Sequence, residues 1–78
     1  MKKLLFLILL FALPVTAQND SLFEKGNSAY NEGNYEAAIN NYEQILKNGE
    51  TSADLYYNLA NSYYKLNDLA PSIYYYEK

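Results

Sequence analysis

The stretch Tyr57-Asn58-Leu59-Ala60-Asn61-Ser62-Tyr63-Tyr64-Lys65 decides how this chain is read, because its pattern also occurs 34 residues upstream. Shifting the sequence by 34 aligns Asn19–Gln44 with Ala53–Lys78 without a gap. Seven of the 26 pairs are identical: Asp20/Asp54, Asn27/Asn61, Ser28/Ser62, Tyr30/Tyr64, Ile39/Ile73, Tyr42/Tyr76 and Glu43/Glu77. A composition of this kind gives about two by chance, so the match marks an internal repeat. Leu22/Tyr56, Gly26/Ala60 and Tyr35/Leu69 add pairs of similar character.

Working outward, each copy divides into two helical stretches. In the second copy Tyr56, Leu59, Ala60, Tyr63 and Tyr64 recur at three- and four-residue steps, the spacing of one helix face. Thr51 and Ser52 are N-cap residues ahead of it, and Asn67 ends it in the place a left-handed cap requires. A fourth helix starts near Leu69 with Pro71 in its first turn, and its stripe runs through Ile73 and Tyr76. In the first copy, a start within Gln18–Ser21 is expected, capped by Asp20 or by a Ser21/Glu24 capping box. Leu22, Gly26, Ala29 and Tyr30 form its stripe and Gly33 its end. Asn34 then caps a second helix striped by Tyr35, Ala38, Ile39, Tyr42, Ile45 and Leu46, which Asn48-Gly49 closes. The predicted fold is all-α: antiparallel helical hairpins stacked as an α-solenoid.

At these residues the chain resembles the tetratricopeptide repeat family, whose unit is a 34-residue helix–turn–helix. The family's pattern of large, small and aromatic positions is met by Leu22, Gly26, Gly33, Tyr35, Ala38 and Tyr42 in the first repeat. Tyr56, Ala60, Asn67, Leu69, Ser72 and Tyr76 meet it in the second. Glu50 stands where the family usually has a proline, and Ser72 where it usually has alanine. The resemblance places repeat one at 19–52 and an incomplete repeat two at 53–78. Because the sequence stops inside an apolar helical pattern without a C-cap, it is expected to be the start of a longer array. Two repeats alone are expected to fold only in part or to self-associate.

The resemblance also implies a concave binding groove on the first helix of each hairpin. Its residues here are Phe23, Asn27, Tyr30 and Asn31, then Tyr57, Asn58, Asn61, Tyr64 and Lys65, with Asp20, Glu24 and Asp54 beside them. Asn27 and Asn61 are placed to hydrogen-bond a ligand backbone, and Phe23, Tyr57 and Tyr64 to make aromatic contacts. Some relatives clamp a terminal carboxylate with a lysine and two asparagines. Asn27 and Asn58 match that set, but Phe23 replaces the lysine and removes its charge. Most of the ten tyrosines fall on packing positions, which explains them before any ligand does. Tyr74 and Tyr75 fall outside that pattern and suggest an exposed patch or a contact with a further repeat.

Ahead of the repeats, Lys2-Lys3, the apolar run Leu4–Leu13, Pro14 and Val15-Thr16-Ala17 follow the plan of a secretory signal peptide over residues 1–17. Cleavage is expected between Ala17 and Gln18. The competing reading, a retained membrane anchor, is weakened by an apolar run well short of the roughly 20 residues a bilayer demands. After cleavage Lys25, Lys47, Lys65 and Lys78 face nine carboxylates, a net charge of −5 with no arginine. Such a surface repels nucleic acid and offers no basic patch to anionic lipid. Cysteine is absent, so packing rather than disulfides must hold the fold.

Histidine and cysteine are both missing and the only methionine is Met1, which excludes histidine acid–base chemistry, thiol nucleophiles and soft metal sites. Gly26, Gly33 and Gly49 are too scattered for a phosphate loop, and Glu36 and Glu43 suit a solvated helix face. No enzyme activity and no cofactor are expected. A signal peptide followed by Phe23-Glu24-Lys25-Gly26-Asn27 and Tyr30-Asn31-Glu32-Gly33-Asn34-Tyr35-Glu36-Ala37-Ala38-Ile39 resembles the start of BatE-type proteins. These are exported tetratricopeptide proteins of the aerotolerance-associated Bat gene clusters. The resemblance implies a protein-binding scaffold in a periplasmic or periplasm-facing envelope complex, with von Willebrand A-domain proteins of the same cluster as partners. The alternative is an accessory repeat segment of a larger envelope enzyme whose active part lies beyond residue 78.

Overall fold

The computed structural model describes residues 14–78. It contains four helices: α1 (Val15–Asn31), α2 (Tyr35–Lys47), α3 (Ala53–Lys65) and α4 (Leu69–Tyr76). No strand occurs among the described residues. Each helix packs on its neighbour in sequence, α1 on α2, α2 on α3 and α3 on α4. The fold is therefore all-α, two helical hairpins stacked side by side.

Three turns of one design set the corners. Gly33, Asn67 and Gly49 all have positive φ, at 81°, 61° and 90°. At each, the next amide reaches back to a carbonyl five residues earlier: Asn34 to Ala29 at 2.8 Å, Glu50 to Ile45 at 3.3 Å and Asp68 to Tyr63 at 3.0 Å. The left-handed residue itself bonds three residues back, completing a Schellman motif that satisfies the last carbonyls of the helix. Expectation and structure agree at all three positions. The following helices are capped as the sequence suggests, by Asn34 accepting from the Ala37 amide and Ser52 from the Leu55 amide.

The core forms where the two hairpins meet. Ala38, Ile39, Tyr42 and Ile45 from α2 close on Leu55 and Leu59 from α3, all buried. Leu22, Phe23, Ala29 and Tyr30 of α1 lean on this cluster from one side, and Tyr63 and Tyr75 from the other. Tyr42 is its largest member, and Gly26 is what makes room for it. A Cβ built on Gly26 would lie 2.5 Å from Tyr42 Cε1, closer than carbon atoms can pack.

Three expectations are corrected. First, α1 starts at Val15 rather than within Gln18–Ser21, with Pro14 in extended conformation as its N-cap. The Pro14 carbonyl takes the first helical bond, from Gln18, so neither Asp20 nor Ser21 caps. Asn19 explains the extension: it is 1% exposed and accepts a 2.8 Å bond from Asn48, holding the helix start against the end of α2. The expected cleavage point Ala17/Gln18 thus lies in the first turn of α1, while Met1–Leu13 of the expected signal peptide lie outside the described residues. Second, α3 buries Leu55 and Ser62, and Tyr64 turns outward. Third, α4 turns Ser72 and Tyr75 toward α3 and leaves Leu69, Ile73 and Tyr76 exposed. Its main described partner is α3, and the small Ser72 fits there by bonding the Ala60 carbonyl at 2.9 Å.

Two glycine substitutions separate space from backbone geometry. Gly26→Ala gains about 0.5–1 kcal/mol of helix propensity but overpacks a buried ring, at about 1–3 kcal/mol. Because Tyr42 is 1% exposed and cannot swing away, a net loss of about 1 kcal/mol is expected. Gly33→Ala meets no atom within 4 Å. It is expected to lose about 1–2 kcal/mol through its left-handed φ alone. Urea unfolding followed by circular dichroism checks both, and a raised midpoint for either variant contradicts its mechanism.

Candidate protein-binding face

The residues expected to line a groove lie on α1 and α3. Along α3, Tyr57 and Tyr64 stand 61% and 58% exposed, and Lys65 ends the same helix in solvent. Along α1, Asn31 is exposed at the last residue, whereas Phe23 and Tyr30 are half-buried. The Phe23 ring lies tilted on Tyr42 with 5.7 Å between centroids, and Tyr30 meets Tyr35 edge-on at 5.2 Å. Of the aromatic residues singled out from sequence, Tyr57 and Tyr64 remain mostly exposed, although Tyr57 meets Tyr76 edge-on at 6.1 Å, and Phe23 is committed to packing.

The asparagines are engaged internally. Tyr42 donates its hydroxyl to Asn27 Oδ1 at 2.5 Å, and Tyr76 donates to Asn61 Oδ1 in the same way one repeat later. Asn58 Nδ2 donates to that same Asn27 oxygen at 3.3 Å, so one amide ties both helices of the first hairpin to α3. The oxygens expected to receive a ligand backbone thus already hold tyrosine hydroxyls. Burial raises the Tyr42 hydroxyl above its usual pKa, with nearby Tyr30 adding to the rise and a bond from Asn58 opposing it. Sequence reasoning missed this pairing, although the matched recurrence of Asn27/Asn61 and Tyr42/Tyr76 carried the signal.

A second polar knot joins α2, α3 and α4. Tyr63 donates to Glu43 at 2.7 Å and Tyr75 reaches the same oxygen at 3.5 Å. Tyr75 lies stacked against Tyr63 at 5.9 Å and against Tyr56 at 6.1 Å. Tyr74 remains exposed as expected; Tyr75 is half-buried in this stack. Burial first, and then the bond to and charge of Glu43, push the Tyr63 hydroxyl well above the ordinary phenol range.

Near the beginnings of α1 and α3 a cavity of about 370 Å³ opens. Phe23, Ile45 and Leu55 supply its apolar wall, and Asp20, Glu24, Glu50 and Asp54 its acidic rim. Asn19 also lines it. This residue was not singled out from sequence, yet it precedes Leu22 by three residues and Gly26 by seven, on the same helix face. No group of three metal-ligating side chains gathers among the described residues.

The tetratricopeptide repeat family model matches residues 23–78, more than two thirds of the chain. The chain belongs to the tetratricopeptide repeat family. No curated protein and no solved structure matches it. Tetratricopeptide repeats generally mediate protein–protein interaction, and the sequence resemblance placed the expected groove on the first helix of each hairpin. In this tetratricopeptide chain those helices are α1 and α3. The face they share carries exposed Tyr57, Tyr64 and Lys65, steadied from beneath by the two asparagine–tyrosine bonds.

The knot at Glu43 gives this tetratricopeptide fold a predicted alkaline limit. The folded-state pKa of Tyr63 lies above the ordinary phenol value of about 10, so its contribution is fully present below about pH 10 and is lost as pH rises beyond it. Tyr75 shifts in the same direction. Unfolding midpoints are expected to hold steady up to that pH and then fall, with a shallower fall in Tyr63→Phe. An equal alkaline fall in the variant contradicts the assignment. Tyr42→Phe is expected to cost about 1 kcal/mol by removing one of the two donors to Asn27, read by the same unfolding assay.

Proposed function

We propose that this chain is an exported scaffold that holds peptide segments of partner proteins on the face shared by α1 and α3, within a cell-envelope complex. The observation that carries this is the exposure of Tyr57 and Tyr64. They lie seven residues apart on one helix face, with Asn61 between them and Lys65 beside them. Aromatic side chains left in solvent on a surface whose Asn27 and Asn61 are already bonded internally supply contact area at little ordering cost. Membership of a family that binds proteins supports the same reading.

Export is supported by Lys2-Lys3, the apolar run Leu4–Leu13 and the small residues before Gln18. The early repeat sequence resembles BatE-type proteins, which favours von Willebrand A-domain proteins as partners on the periplasmic side. In this role the chain catalyses nothing and needs no cofactor; it positions other proteins.

Pull-down from envelope fractions tests the binding face. Tyr57→Ala combined with Tyr64→Ala is expected to weaken retention of a partner at least about tenfold, since buried interface tyrosines commonly contribute over 1 kcal/mol each. Both residues are exposed, so folding is expected to survive the change. Undiminished capture by the double variant contradicts binding at this face. N-terminal sequencing is expected to find Gln18 first; Met1 on the mature protein overturns cleavage.

A further inference from the structure

The cavity near the beginnings of α1 and α3 has a chemistry that the rest of the face lacks. Asp20, Glu24, Glu50 and Asp54 surround it, and no lysine lines it. These carboxylates create a negative field, yet no three of them gather closely enough to hold a metal ion. Dispersed negative charge above an apolar wall suits a long side chain with a cationic tip. Its methylene stem packs on Phe23, Ile45 and Leu55 while its head stays among the carboxylates.

Asn19 supplies an independent observation. It lines the same cavity and is 1% exposed. Its oxygen accepts from Asn48 at 2.8 Å, but its Nδ2 is buried without any acceptor. A buried amide donor left unpaired is unfavourable and calls for an oxygen partner. The rim carboxylates do not fill that role. A peptide residue with a cationic side chain brings both complements, since its backbone carbonyl accepts and its tip is positive.

We propose that this cavity is the specificity pocket for a lysine- or arginine-bearing peptide segment. The basic head lies among Asp20, Glu24, Glu50 and Asp54, and a peptide carbonyl accepts from Asn19 Nδ2 once that buried amide turns toward the cavity it borders. The assignment rests on the binding-face reading above and gives it a ligand chemistry. The net charge of −5 after residue 17 favours basic segments over acidic ones at long range as well.

Nuclear magnetic resonance titration of the full, ¹⁵N-labelled chain tests it. The probe is the capped peptide Ser-Ala-Lys-Ala-Ser, with its Nε-acetyl-lysine counterpart as control. The lysine peptide is expected to shift the Asn19 side-chain amide and the backbone amides of Asp20 and Asp54. The acetylated peptide is expected to bind about tenfold more weakly. Glu24→Gln combined with Asp54→Asn alters only exposed side chains and is expected to weaken the lysine peptide about fivefold while leaving the acetylated one unchanged. Equal binding of both peptides overturns the pocket. Shifts confined to Tyr57, Tyr64 and Lys65 also overturn it, yet leave the binding face standing. No shift at all rejects the pocket alone, because the pull-down judges the face separately.

Discussion

The close approach of Tyr42 to Gly26 is the contact on which the rest of the molecule is arranged. With no Cβ in the way, the ring packs closely on the α1 backbone, and its hydroxyl falls on the very next residue, Asn27. Phe23 covers one edge of the ring, and Asn58 reaches across from α3 to the same Asn27 oxygen. One missing methyl group thus fixes the hairpin angle and, through a shared acceptor, the angle between hairpins. The second hairpin repeats the chemistry with Ala60, Ser72, Tyr76 and Asn61. Tyr76 is nevertheless 47% exposed where Tyr42 is 1% exposed. Equivalent residues differ because α3 covers Tyr42, whereas no described element covers the corresponding side of α4.

That difference explains what was and was not legible in the sequence. The 34-residue register, the small residues at close contacts and the left-handed turn positions are local properties, and each was readable from one or two residue types. The start of α1 was not, because Asn19 reads as a polar cap until Asn48, distant in sequence, reveals it as a buried partner. The outward turn of Leu69 and Ile73 was equally hidden. Periodicity tells which residues share a face but not whether anything lies against it. The candidate groove was legible as a set of positions. Its division into internal ties and free contacts depended on tyrosine hydroxyls that arrive from another helix.

The two sides of α3 consequently have different duties. One side holds Tyr63 in the stack with Tyr75 and Tyr56 around Glu43, joining three helices through a single carboxylate. The other offers Tyr57 and Tyr64 to solvent. A partner that met the second side would find it stiffened by the first. Little ordering of the protein would then oppose association, so most of the contact energy would remain available for affinity. The acid-rimmed cavity sits at the end of this face where α1 and α3 begin, so it adds charge selection to an otherwise aromatic surface.

The three Schellman turns carry a consequence for how the chain finds its shape. Each is closed by bonds spanning at most five residues, and the helices pack chiefly on their sequence neighbours. Search distances along the chain are therefore short, and the entropy lost before the first favourable contact is small. A corner can assemble before any hydrophobic cluster exists to demand it. Folding of this chain is then a matter of zipping outward from whichever corner forms first, in either direction, rather than of assembling a distant nucleus.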